Sequence, residues 1–141
     1  MTRKCKPMVY ISGEITGVSR DVYLARFNVA ASLIHKAGYK PVNPCKFLPC
    51  RWPWLYKLLG YKLTLLYDLW RLSRCDMIYK IPGWRSSKGA SIESCWAYHH
   101  KIWLLPYITR EAIDKKMAKY IDKQETKLKE AAIINECKEQ E

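Results

Sequence analysis

The hydrophobic pattern of the first forty residues predicts a strand, a helix and a second strand. Residues 8–12 form a compact apolar run that Gly13 closes. Residues 21–37 carry apolar side chains at helical spacing, and Gly38 stands where a glycine commonly follows the end of a helix. The chain resumes as a short strand at residues 39–42, before an Asn-Pro turn signal. The simplest interpretation is a β-α-β unit.

The alternation of strands and helices continues along the chain. The pattern predicts a helix at residues 64–74, a buried strand at 76–81, a helix at 90–99 and a strand at 101–106. Alternating elements of this kind indicate a parallel sheet covered by helices on both faces. We therefore expect an α/β fold, a Rossmann-like (flavodoxin-like) three-layer sandwich with a parallel sheet of four to five strands.

The end of the chain predicts an amphipathic helix. From residue 110 onward, mostly apolar side chains share one side while Lys and Glu lie elsewhere: Ile113, Met117, Tyr120, Ile121, Gln124, Leu128 and Ala131. That side can pack against the domain or against a dimer partner. We assign residues 1–108 to the α/β domain and residues 109–141 to the C-terminal amphipathic helix.

An insertion rich in aromatic, leucine and basic residues occupies residues 45–66. Pro53, Gly60 and internal lysines interrupt every apolar run that approaches the length of a membrane span, so we predict no membrane span. We favour a helical insertion packed on the core or on a second subunit. An interfacial amphipathic helix or a lid over the site stays open as an alternative.

The composition indicates a folded cytoplasmic domain with reduced thiols. The chain is 49% hydrophobic and 13% aromatic, which is enough for a buried core. Residues 1–6 are too short and polar for the apolar part of a signal peptide, so we expect a cytoplasmic location. No two of the six cysteines form a C-x-x-C pair, and only three histidines accompany them, so we expect neither disulfides nor a metal or other cofactor.

The positive charge is concentrated in the first three quarters of the chain. Residues 1–105 hold 17 Lys and Arg against 5 Asp and Glu, whereas residues 106–141 hold 8 of each, so the net charge of +12 belongs to the first part. Such a surface favours anionic partners. A nucleotide phosphate, a nucleic acid and an acidic membrane face all meet that requirement.

The loops that follow the predicted strands carry the candidate chemistry. There is no G-x-x-x-x-G-K-[ST] phosphate loop and no G-x-G-x-x-G after the first strand, which argues against kinase-like and nicotinamide-dependent functions. Residues 12–17 instead form a turn with two glycines and two hydroxyls, whose backbone N–H groups can bind a sugar or a phosphate. This turn is a weak signal by itself.

Three acids lie near the predicted third strand. Glu93 falls in the first turn or so of the helix that follows residues 86–89, so its carboxylate can point back over the sheet edge. An acid at a helix start can also be a simple partner of the helix dipole. Asp68 on the preceding helix can lean over the site, whereas Asp76 sits at the amino end of its strand.

Seven short motifs follow one another in a recognisable order. They are VYISGEITG at 9–17, ARFN at 25–28, AGY at 37–39, VNP at 42–44, DL at 68–69, CD at 75–76 and PGWRSSKGASIE at 82–93. In this combination the chain resembles the DUF4406 branch of the nucleoside 2-deoxyribosyltransferase-like superfamily, over roughly residues 8–105.

The resemblance implies roles for two acids. In that superfamily the glutamate of an S-x-G-x-x-x-E stretch attacks the anomeric carbon of a deoxyribonucleoside, which implies that Glu93 is the nucleophile. A related branch, the deoxynucleoside 5′-monophosphate N-glycosidases, uses water as the acceptor. Its second acid lies in a D-x-x-x-L run, which matches Asp68 and Leu72 here. Glu93 and Asp68 are therefore the catalytic residues that the resemblance implies.

The resemblance also implies a substrate-binding set. The first loop and the loop serine of the glycosidase branch hold the 5′-phosphate, and related enzymes assemble as homo-oligomers. The predicted substrate-binding residues of this chain are Tyr10, Ser12, Gly13, Ile15, Gly17, Ser87 and Gly89.

Three functions are compatible with these features. The first is cleavage or transfer of the N-glycosidic bond of a deoxyribonucleotide or nucleoside by a homo-oligomeric enzyme. The second is a non-catalytic nucleotide-binding module, and the third is a protein that binds nucleic acid through the basic aromatic segment.

Overall fold

The computed structural model describes residues 5–46 and 53–139. The predicted insertion therefore lies partly outside the described residues, as do Cys50 and the two ends of the chain. The described elements, in chain order, are β1 (Met8–Ser12), α1 (Arg20–Lys36), β2 (Lys40–Val42), α2 (Pro53–Leu72), β3 (Met77–Lys80), α3 (Lys88–His99), β4 (Trp103–Leu104) and α4 (Tyr107–Glu139). Short 3-10 turns follow β2 and β3.

The sheet has four parallel strands in the order β2-β1-β3-β4. The connection from β1 leads outward to β2, and the connection from β3 leads outward to β4 in the opposite direction. The point where the order reverses lies between β1 and β3, and the crevice at the carboxyl ends of these strands is where open α/β sheets bind ligands. The predicted Rossmann-like α/β fold is confirmed.

Helices cover both faces of the sheet because side chains of β1 alternate between two cores. Val9 and Ile11 pack with α1 and with the start of α4, where Met117 is completely buried. Tyr10 points to the opposite face and packs with Leu72 of α2 and with residues of α3. This arrangement is the expected three-layer sandwich.

The last strand is shorter than its sequence pattern predicts. Residues 101–106 were expected to form a strand, but only Trp103 and Leu104 do so, and both are exposed at the sheet edge. Lys101 has a positive φ of 55°, which is outside the extended region, and Pro106 lacks the N–H that a ladder needs. The backbone conformation of Lys101 therefore limits β4 on one side, and the missing N–H of Pro106 limits it on the other.

The C-terminal helix begins at Tyr107, two residues before the predicted boundary. Its first half packs on α1 through Ile113 and Met117, while Gln124 accepts a hydrogen bond from Arg26 at 2.8 Å. Leu128 is exposed, and so are all later described residues of α4. The predicted amphipathic side is therefore buried only in the first half of the helix.

The insertion continues directly into the helix that was predicted from residue 64. Within α2, Gly60 has φ 77° and ψ 167°, so two helical pieces meet there at a non-helical residue. Leu69 and Leu72, which follow the insertion, pack on the sheet, and Leu65 within the insertion is partly buried against the same cluster. No helix within the described ranges combines the length and apolar content needed to cross a bilayer. The five cysteines in those ranges are free thiols.

Candidate active site

A pocket lies at the carboxyl ends of β1 and β3, and three parts of the chain supply most of its walls. The loop after β1 supplies Gly13, Ile15 and Thr16. Helix α2 supplies Tyr61, Thr64, Leu65 and Asp68. The start of α3 supplies Ser87, Gly89, Ala90 and Glu93. Because β1 and β3 are adjacent, the two loops that the sequence singled out meet at this one pocket.

Glu93 lies two residues deeper in its helix than the sequence suggested. Helix α3 begins at Lys88, and the side chain of Ser87 caps it by accepting a hydrogen bond from the backbone N–H of Ala90. Glu93 is the sixth residue of the helix and falls early in its second turn, just beyond the first turn or so in which it was expected. The helix dipole therefore gives no sufficient explanation for an acid at this position.

Two hydroxyls of β1 hold the Glu93 carboxylate. Tyr10 Oη donates to Oε1 at 2.8 Å, and Ser12 Oγ donates to Oε2 at 2.5 Å. Tyr10 and Ser12 are two residues apart on a strand, so both side chains point to the same face, beneath α3. Glu93 is only 7% exposed, yet it lines the pocket. Its orientation is thus determined by the central strand of the sheet.

Burial controls the protonation of this cluster. Loss of solvent raises the pKa of Glu93 from 4.5 to about 7, although the hydrogen bonds from Ser12 and Tyr10 oppose that rise. Burial first, and then the nearby carboxylate of Glu93, raise the pKa of Tyr10 well above its ordinary value. Tyr10 therefore remains a hydrogen-bond donor, while Glu93 changes charge near neutral pH.

Asp68 and Asp76 occupy opposite ends of the fold. Asp68 lines the pocket from α2, on the same side of the helix as Tyr61 and Thr64. Asp76 precedes β3 at its amino end, where its Oδ2 accepts a hydrogen bond from the backbone N–H of Met8 at 2.8 Å. Asp68 is therefore the acid that shares a pocket with Glu93.

The predicted binding residues divide into three groups. Gly13, Ile15, Ser87 and Gly89 line the pocket. Tyr10 and Ser12 are completely buried beneath it and contact Glu93 instead. Gly17 is not among the lining residues and has a φ of 84°, which makes it a turn glycine.

Gly13 is required by the close packing of the first loop. A Cβ atom there would lie 3.1 Å from Ile81 Cδ1 and 3.2 Å from Phe27 Cζ, closer than ordinary van der Waals contact. The loop after β1 therefore sits directly on the core, which places its backbone at the floor of the pocket.

The sequence analysis left open that the insertion covers the site, but it named none of the insertion's residues as part of the pocket. Tyr61, Thr64 and Leu65 line the pocket, and their spacing with Asp68 is that of one helix face. That spacing was a usable signal, although the packing direction of the insertion depends on the rest of the fold. Among the described residues, Thr16, Ala90 and Pro44, which follows β2, are the other members of the lining.

The described part of the lining carries two carboxylates and no lysine or arginine. Lys80, at the end of β3, points elsewhere: its Nζ donates to Ser94 Oγ at 3.1 Å and lies 4.1 Å from the centroid of the Trp84 ring. Within residues 5–46 and 53–139, no cluster of three His, Cys, Asp or Glu side chains is arranged to hold a metal ion. The arrangement suits a ligand with hydroxyls or a developing positive charge.

The fold and the pocket define a class: a doubly wound α/β protein whose switch-point crevice holds a strand-supported glutamate and a second acid. The family comparison agrees with this architecture. Residues 7–105 match the family model described as "Domain of unknown function (DUF4406)", and the chain belongs to that family. The match ends before α4. A search of curated proteins found no matching relative.

Proposed function

We propose that this chain cleaves or transfers the N-glycosidic bond of a deoxyribonucleotide or nucleoside, with Glu93 as the nucleophile. The observation that carries the proposal is the position of Glu93: a buried carboxylate, oriented by two hydroxyls, in the same pocket as a second acid. The resemblance to the nucleoside 2-deoxyribosyltransferase-like superfamily, based on the S-x-G-x-x-x-E stretch, points in the same direction.

The proposed chemistry follows from the charge that develops during bond cleavage. As the C–N bond breaks, positive charge grows on the sugar, and an ionised Glu93 beneath the ring stabilises it. A Glu93 oxygen then bonds to the anomeric carbon, while the base leaves with the bonding electrons and takes up a proton. Water or a second base next attacks the same carbon and releases Glu93. Asp68 handles the proton of the leaving base or orients the sugar.

The phosphate of a nucleotide substrate is assigned to the two loops. Backbone N–H groups near Gly13 and at the start of α3 are suited to an anion, aided by the positive end of the helix. The described pocket lining carries no lysine or arginine, so any preference for monophosphates rests on these groups and on the basic surface outside. A comparison of nucleosides with their monophosphates measures that preference.

A panel of deoxynucleosides and deoxynucleoside 5′-monophosphates tests the proposal, with free base measured by chromatography. The wild-type chain should release base from at least one member, and Glu93→Gln should not. Asp114→Asn is the matched control, because Asp114 also accepts a tyrosine hydroxyl but lies outside this pocket. Unchanged release by Glu93→Gln would remove the mechanism. Adding a second free base distinguishes transfer from hydrolysis.

A nucleotide-binding module without turnover is the second candidate. The observation in its favour is that both oxygens of Glu93 already accept hydrogen bonds within the protein. A rise in Tm with a nucleotide, together with no base release from any member of the panel, would support this function over catalysis.

Other predictions from the sequence belong to the same proposal. A homo-oligomer is compatible with the exposed Leu128, Ile133 and Ile134 of α4, which lie among balanced charges. Sedimentation at several concentrations tests that state.

Nucleic-acid binding through the basic surface predicts an affinity that falls steeply with salt. The cytoplasmic location stays a prediction of the sequence.

A further inference from the structure

Helix α2 has apolar side chains on two opposite sides. One side packs Leu69 and Leu72 on the sheet. The other side carries Leu63, Leu66 and Trp70, which are 53%, 61% and 47% exposed. These three residues follow a spacing of three and four, so they form one continuous stripe along the helix. We call this stripe the outer face of α2.

The apolar exposure extends beyond that stripe. Trp54 and Leu58, in the helical piece before Gly60, are also among the exposed large apolar residues of the protein. They are four residues apart and share a side of their own helical piece. Large exposed apolar patches commonly mark sites that bind another protein or a membrane.

The exposed charges that residues 53–74 carry beside the outer face have one sign. Lys62 and Arg74 are exposed beside it, and the Arg74 guanidinium lies 4.1 Å from the Trp70 ring centroid. Lys57 is exposed in the preceding piece. From residue 53 to residue 74 the sole acid is Asp68, which lines the pocket on the inner side. The outer face is therefore apolar and cationic.

We propose that the outer face of α2 docks on an anionic lipid surface, parallel to the membrane plane. Leu63 and Leu66 would enter the boundary of the acyl chains, where their apolar area leaves water. Trp70 would sit at the headgroup level, which suits an indole ring with one polar N–H. Lys62 and Arg74 would face the acidic headgroups. This proposal is independent of the proposed reaction.

Charge complementarity favours this occupant over a second copy of the chain. In a symmetric dimer through the outer face, both copies would bring the same patch together. Lys62 and Arg74 of one copy would then approach those of the other, and the outer side of residues 53–74 offers no acid to compensate. An anionic membrane supplies both the opposite charge and the apolar medium.

A nucleic acid supplies the negative charge but not the apolar medium. Bases stack on exposed aromatic rings, and Trp70 meets that requirement. Leu63 and Leu66 do not, because aliphatic side chains offer neither a ring face nor a hydrogen bond to a nucleotide. The aliphatic part of the stripe therefore favours lipid.

Vesicle sedimentation of the full chain tests the proposal. We expect the chain to bind vesicles that mix phosphatidylcholine with phosphatidylglycerol, and to bind weakly to phosphatidylcholine alone. Leu66→Asn should weaken partitioning about tenfold, because it removes a leucine side chain that enters the lipid on binding. Lys62→Gln should weaken it about fivefold and should reduce the salt dependence.

Leu128→Asn is the matched control, since Leu128 is an exposed leucine on α4 among balanced charges. It should leave vesicle binding unchanged, and the Tm of each variant reports whether the fold is intact. Equal binding to both vesicle types, or none to either, would overturn the proposal. A concentration-dependent dimer that Leu66→Asn abolishes would show that the outer face binds a second copy of the chain instead of lipid. Tighter binding to single-stranded oligonucleotides than to vesicles would show that it binds nucleic acid instead.

Discussion

Two tyrosine–carboxylate pairs lie on opposite faces of the same sheet. Tyr10 of β1 donates to Glu93 of α3, and Tyr79 of β3 donates to Asp114 of α4, each at 2.8 Å. The strands are neighbours, and Tyr79 pairs with Ile11, the residue after Tyr10. The two pairs thus have the same chemistry and nearly the same depth along the sheet.

Their surroundings differ in ways that separate a candidate active site from a structural contact. Glu93 is buried, accepts a second hydroxyl from Ser12 and shares a pocket with Asp68. Asp114 is partly exposed and borders a shallow groove beside Lys115. Burial alone raises the free energy of an ionised carboxylate, so a protein gains nothing in stability from charging Glu93 there. The free-energy cost of burying an ionisable Glu93 therefore suggests a function, whereas packing alone explains the contact at Asp114.

The largest expected effect is on turnover. Glu93→Gln should reduce base release about a thousandfold or more, because an amide cannot act as the nucleophile. Asp114→Asn should stay within about twofold of the wild type, because this group lies outside the pocket. Steady-state rates by chromatography check both. Equal losses in the two variants would show that the pairs are not functionally different.

The second effect is on the pH dependence of stability. The pKa of Glu93 is about 7 in the folded chain against an ordinary 4.5, so the folded chain holds this proton more tightly. Its contribution is complete below about pH 4.5 and is lost as the pH rises to about 7, a change of about 3 kcal/mol in the free energy of unfolding.

Urea unfolding of the wild type and two variants measures this contribution. Glu93→Gln should remove that decline and become the more stable protein at pH 8. Asp114→Asn should keep the decline of the wild type. Glu93→Gln carries every other titrating group of the wild type, so the difference in stability between the two proteins isolates Glu93. If that difference stays constant between pH 4.5 and 7, Glu93 is not a buried ionisable group with a raised pKa.

The third effect concerns the hydroxyl donors. Tyr10→Phe should cost about 2 kcal/mol of stability, because Glu93 loses a partner in a buried place that water does not replace. Tyr79→Phe should cost about 1 kcal/mol, since the partly exposed Asp114 can turn to water. Thermal unfolding of the two variants compares them. A larger loss of stability in Tyr79→Phe than in Tyr10→Phe would contradict the conclusion that the Tyr10–Glu93 pair is the more buried of the two.

The smallest effect is a shift of the pH–rate profile. Because the ionised form of Glu93 is the proposed nucleophile, kcat/KM should rise with pH through about 7 and then level off. The Ser12 hydroxyl stabilises the ionised form, and Ser12→Ala should move this rise to higher pH. Ser94→Ala removes a hydroxyl that contacts Lys80 instead, and it should leave the profile in place. If the pH–rate profile of Ser12→Ala matches that of the wild type, ionisation of Glu93 does not control the rate.

Much of the fold was predictable because local patterns and tertiary packing agree. The alternation of strands and helices predicted the parallel sheet, and Gly38 with its φ of 95° marks the end of α1 as expected. The edge strand was harder, because β4 is short and exposed and Lys101 adopts a positive φ that no apolar pattern reveals. Helix α4 was predicted, yet its apolar side is buried only where α1 is present to cover it.

The candidate site was predictable in its residues and less so in their contacts. Glu93, Asp68 and the two loops meet as expected at the carboxyl edge of the sheet. The hydrogen bonds from Tyr10 and Ser12 to Glu93 were not predicted, because they join residues more than eighty positions apart. Strand alternation places the two hydroxyls on one face, but only the crossing of α3 over β1 identifies their acceptor.

The attachment of Glu93 to a central strand has a consequence for how a ligand would be received. Its two hydrogen-bond donors are completely buried on an inner strand, so folding itself orients the carboxylate before any ligand arrives. Under the proposed function, the surrounding loops would select the substrate, so selection and reaction would fall to different parts of the molecule.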